Sequence, residues 1–116
     1  MSADGPSDRV VLEDRRDADG TVRSLVARAA EGGIRIEGQD LGPGVERFFG
    51  PGLTEYEWSW WVPPVRVAAL VARLGGEPGA DPLATLAAFH REGGEPLSQA
   101  LKDPAVDATF WSRVGD

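Results

Sequence analysis

Pro63-Pro64 divides the sequence into two halves of different hydrophobic period, and no other feature limits the fold as much. Before it, apolar residues recur at every second position; after it, they recur every three to four. The clearest segment is Glu55-Tyr56-Glu57-Trp58-Ser59-Trp60-Trp61-Val62, which ends at the proline pair. As a strand it places Tyr56, Trp58, Trp60 and Val62 on one face, and Glu55, Glu57, Ser59 and Trp61 on the other. The first face is core. The second is largely solvated, with Trp61 as the exception.

Ile34-Arg35-Ile36-Glu37 alternates in the same way, as expected of an antiparallel sheet with one wet side. Upstream, Val10-Val11-Leu12 opens a strand that runs into the charged stretch Glu13 to Asp17. The turn dipeptide Asp19-Gly20 joins it to Thr21–Val26, which reads as a β-hairpin. Ala27 to Glu31 either prolongs that strand or makes a helical turn. Gly38 to Gly44 reads as a turn-rich connector, and Val45–Phe49 as about one helical turn before Gly50-Pro51-Gly52.

After the prolines, Val67, Leu70, Val71 and Leu74 fall at helical spacing until Gly75-Gly76 stops them. Asp81-Pro82 is an N-cap and first-turn pair that launches a helix over residues 82–92. A short third helix is expected from Pro96 to Lys102. Ala108-Thr109-Phe110-Trp111 forms either a last strand or a packed irregular tail. The order predicts an α+β fold, an antiparallel sheet of three to four strands covered on one face by two to three helices. Residues 1–8, small and polar with Gly5 and Pro6, read as a flexible tail, and residues 9–116 as a single domain. Strand order is not encoded locally, and a split of the sheet at residues 38–54 stays open.

Composition narrows the function classes. With 116 residues, the chain has material for one modest core. A formal net charge of −7 argues against sequence-independent nucleic-acid binding and against anionic membranes. The absence of Cys excludes disulfides, a zinc ribbon and thiol catalysis. No signal-peptide pattern opens the sequence, and no apolar run approaches about 18 residues, so the expected compartment is the cytoplasm. Eleven of the twelve basic residues are Arg and Asn is absent, a coding bias of GC-rich genomes such as those of actinobacteria.

Catalytic signatures are missing as well. There is no G-x-S-x-G elbow and no Walker loop, and the one Lys is Lys102. Gly42-Pro43-Gly44 and Gly50-Pro51-Gly52 are proline-stiffened turns, unsuited to cradling phosphate because proline lacks an amide N–H. His90, the single imidazole, lies on the apolar stripe of its helix and reads as a core-edge residue. The expectation is a protein that is not an enzyme and has neither metal nor cofactor.

The carboxylates are the informative cluster. Glu37, Asp40, Glu46, Glu55 and Glu57 stand against Arg47 alone, a local excess of four negative charges. Such a cluster is a solvated face, a docking surface for a basic protein, or a divalent-metal or acid–base pair. The D-x-D-x-D-G spacing of an EF-hand is missing. Trp61, on the same face, is either an exposed interface anchor or is covered by other elements.

The run Ile36-Glu37-Gly38-Gln39-Asp40-Leu41-Gly42-Pro43-Gly44-Val45-Glu46-Arg47-Phe48-Phe49-Gly50, followed by Glu55-Tyr56-Glu57-Trp58, resembles the core of a group of small, mostly uncharacterised actinobacterial proteins. The matching part covers about residues 20–75, with a looser likeness at Thr109 to Ser112. The motif labels a family and says little of activity. Small acidic proteins of this kind resemble immunity partners of toxins. The expected function is a non-enzymatic, immunity-like or antitoxin-like interaction protein. It would bind a basic partner, such as a toxin domain, through Glu37, Asp40, Glu46, Glu55, Glu57 and Trp61. The alternative is a small-ligand-binding or accessory protein with an aromatic pocket around Tyr56 and Trp58.

Overall fold

A computed structural model describes residues 8–116. The expected flexible tail lies, but for Asp8, outside the described residues. The chain forms an α+β fold around one five-stranded antiparallel sheet with strands in chain order. The strands are β1 (Arg9–Arg16), β2 (Val22–Ala30), β3 (Gly33–Leu41), β4 (Glu55–Val62) and β5 (Thr109–Gly115). A short helix, α1 (Pro43–Phe49), links β3 to β4. Between β4 and β5 come a single 3-10 turn (Pro64–Arg66), α2 (Val67–Arg73), α3 (Pro82–Glu92) and α4 (Leu97–Leu101).

Five strands replace the three to four expected. The fifth comes from the segment that left strand and tail open: Thr109, Trp111 and Arg113 alternate with Phe110, Ser112 and Val114 against β4. Ala27 to Ala30 prolong β2. A two-residue hairpin turn then returns the chain, with Glu31 at φ 53 and Gly32 at φ 82. Positive φ at both central positions matches the right-handed twist of the flanking strands.

The connector expected at Gly38 to Gly44 begins four residues later than it reads, because β3 runs on through Leu41. Gly38 is there for proximity and not for a turn. A β-carbon built on it would lie 2.1 Å from a ring carbon of Trp58, its partner in β4. The residue type that signals a turn locally here admits an indole across the sheet.

The helices cover one face. Ala27, Ile34, Ile36, Trp60 and Val62 of the sheet pack with Leu70, Leu86, Ala100, Leu101 and Val106 into the core. Asp81 caps α3 by accepting from the Leu83 amide at 3.2 Å, and Gly93 ends it in the left-handed region at φ 70. α3 lies over β1 and β2, with α2 beside it. The β4–β5 side of that face is left barer. No helix among the described residues is long and apolar enough to cross a membrane.

Candidate functional site

Strand period and register decide which predicted residues meet. On the face without helices, Glu37 stands opposite Ser59, Gln39 opposite Glu57, and Leu41 opposite Glu55. Trp61 stands opposite Arg35 one step further along. Glu37, Glu55, Glu57 and Trp61 therefore share one surface, as their alternation implies. Asp40 does not join them. Because β3 continues through it, its side chain falls on the helix-bearing face, where Arg23 grips it with two 2.8 Å bonds. Glu46 does not join them either, since it belongs to α1 and accepts from the Gly52 amide at 3.0 Å.

The shared face is a mosaic of charges. Arg28 donates to Glu37 at 2.9 Å, and Arg113 reaches Glu57 at 3.1 Å and Glu55 at 3.4 Å. Gln39 donates to Glu55 at 2.8 Å. The Arg35 guanidinium lies 5.0 Å from the Trp61 ring centroid, a cation–π contact. Trp61 is half-buried: its ring lies over Gly33, where a β-carbon would come within 2.7 Å of it. Hydrogen bonding to Glu37 pushes the Arg28 guanidinium above its ordinary pKa, and Glu57 does the same to Arg113. The cations therefore stay charged beside their carboxylates.

Sequence reasoning missed Arg28, Arg35, Trp111 and Arg113. The signals were present. Arg28 and Arg35 pair across the Glu31-Gly32 turn, and Trp111 and Arg113 share a face at period two. What was absent locally was the β4–β5 pairing that carries Trp111 and Arg113 to this surface. Trp111 is 52% exposed and borders a shallow depression of about 760 Å³ together with Arg28, Arg35, Glu37 and Glu57.

A second concavity opens on the other face, between α4 and the β4–β5 side of the sheet. An aromatic row crosses it: Phe49 to Tyr56 at 5.1 Å and Tyr56 to Trp58 at 5.2 Å, the latter pair stacked. Arg23 lies 5.4 Å from the Trp58 centroid. Phe48 is 82% exposed at one end of the row. At the other end Trp58, Phe110, Ser98 and Lys102 line a groove of about 620 Å³. His90 is half-buried near the loop that follows α3, beside Gly93 and Gly94. Among the described residues there is no group of three or more His, Cys, Asp or Glu placed to hold a metal ion.

No protein-family model, curated protein or solved structure matches this chain significantly.

Proposed function

We propose that the chain is a non-enzymatic interaction protein, immunity-like or antitoxin-like, that occludes a protein partner with the helix-free face of its sheet. The observation that carries this reading is the meeting of Glu37, Glu55, Glu57 and Trp61 on that one face, with exposed Trp111 beside them. Aromatic anchors inside a charged rim are the usual anatomy of a protein interface. The arginine pairs refine the partner. A carboxylate accepts more than one donor, so basic groups of a partner share Glu37 and Glu57 with Arg28 and Arg113. Much of the negative field is already compensated, and association depends only modestly on salt.

The test is co-expression with the product of the adjacent open reading frame. A Glu37→Gln/Glu57→Gln double variant, which loses two exposed ion pairs of small worth, should stay folded and bind that product more weakly. Undiminished binding by this variant and by Trp61→Ala would refute the assignment of the face.

A second reading is favoured by the Tyr56–Trp58 stack and its groove: capture of a planar aromatic ligand. Titration with a non-fluorescent aromatic carboxylate such as benzoate, followed by tryptophan fluorescence, separates the two. Saturable quenching lost in Tyr56→Ala supports the groove; a flat titration removes it.

A further inference from the structure

The two edges of the sheet are built differently. β1 breaks register between Val11 and Glu13 and carries the run Glu13-Asp14-Arg15-Arg16. A bulge and a charge run are the usual protections of an edge strand. β5 has neither. It pairs with β4 over seven consecutive residues without a shift, and contains no proline. Its one charged residue, Arg113, is turned toward Glu55 and Glu57 of β4. Phe110, 46% exposed, and Trp111, 52% exposed, stand on opposite faces of the strand. Among the described residues no strand lies beyond it.

We propose that β5 is a self-pairing edge, through which two copies of this chain join antiparallel about a two-fold axis at Ser112 to form a continuous ten-stranded sheet. The strand's own pattern selects the occupant and the register. An axis perpendicular to the sheet keeps each side chain on its own face, so residues of equal parity must meet. Centred on Ser112, Phe110 meets Val114 of the second copy, an apolar pair on the helix-bearing face. Trp111 meets Arg113 of the second copy on the helix-free face, a cation–π pair made by a guanidinium that also holds Glu57 through Nη2. Centring on Arg113 would oppose two guanidinium groups. Centring on Trp111 would set Phe110 against Ser112 and Thr109 against Arg113. Of these three registers, the one at Ser112 matches apolar with apolar on one face and cation with ring on the other, whereas centring on Trp111 gains a Trp111 pair at the cost of both neighbours. On the helix-bearing face α3 lies over β1 and β2 at the far side of the sheet, and α4 approaches β5 across the groove that Ser98 and Lys102 line with Phe110. The interface is small, so the expected association is reversible and weak.

The chain has no Cys, so one introduced thiol reports the register directly. Directly opposed residues of an antiparallel pair stand within the Cα separation a disulfide spans. Purified Ser112→Cys should give a disulfide-linked dimer on mild oxidation, well ahead of Trp111→Cys. Sedimentation velocity of the unmodified chain between about 10 and 500 μM, a range suited to small interfaces, should show concentration-dependent dimers. Trp111→Lys, which opposes Arg113, should remove them; Trp111→Glu should keep them. A monomer at every concentration, or cross-linking of Trp111→Cys equal to that of Ser112→Cys, would overturn the proposal. Both readouts need no partner protein, so their failure leaves the proposed function standing.

Discussion

Replacing Gly38 by Ala tests the reading of that glycine as a passage for Trp58. A β-carbon at Gly38 would lie 2.1, 2.2 and 2.7 Å from three ring atoms of Trp58, all far inside van der Waals contact. The indole must therefore retreat by about 1.5 Å to restore ordinary carbon–carbon distances. Retreat loosens the 5.2 Å stack on Tyr56, a contact of about 1 kcal/mol in comparable pairs. It also disturbs the Arg23 contact, about 0.5 kcal/mol at a partly exposed site. Overpacking adds about 1–3 kcal/mol. Alanine recovers about 0.5–1 kcal/mol through its smaller loss of backbone freedom in a strand. The expected net loss is about 3 kcal/mol, measured by urea denaturation, with a fall in melting temperature of roughly 12 °C. A double-mutant cycle with Trp58→Ala isolates the cause, because the Gly38→Ala penalty should vanish or reverse once the ring is gone. An unchanged midpoint for Gly38→Ala, or an equal penalty in both backgrounds, would refute the argument.

Glu31→Asn should raise stability by about 0.5 kcal/mol in thermal melts, because Asn tolerates the left-handed φ of 53 better than Glu. Arg73 joins Glu95, at 2.7 and 2.8 Å, to Asp103, at 2.8 Å. Glu95 is held below its ordinary pKa chiefly by the hydrogen bond from Arg73; Asp103 is held low by the Ala105 amide and then by Arg73. Both titrate lower folded than unfolded, so their contribution is complete above the ordinary carboxylate range. It is lost as pH falls through that range to the lower folded values. Arg73→Gln should flatten the acid limb of stability against pH, and an unaltered slope would show that the trio is idle. Melts with and without EDTA should superimpose, and a lower midpoint on chelation would reveal a metal site.

Much of the local structure is written in the sequence. Period two fixes which face each residue of β4 joins, and the residues of 55–62 divide between core and open face as their alternation requires. Asp81-Pro82 starts α3 because a side-chain oxygen and a ring-fixed φ act within two residues of the helix end. The split of Glu37 from Asp40 was not legible, because it depends on β3 continuing through Gly38. Only the indole of Trp58, twenty residues away, explains why a glycine stands within that strand.

The charge of the candidate site was likewise decided by the tertiary structure. Read along the chain, residues 37–57 hold Glu37, Asp40, Glu46, Glu55 and Glu57 with Arg47 as the one cation among them. Folded, Glu37, Glu55 and Glu57 meet Arg28 and Arg113, while Arg47 bonds Asp19 at the first hairpin turn. Side-chain period sets the face a residue occupies, and it acts over one or two neighbours. Register and strand order set what stands opposite, and they follow from burying Ile34, Ile36, Trp60 and Val62 together under the helices, a condition the whole chain satisfies at once.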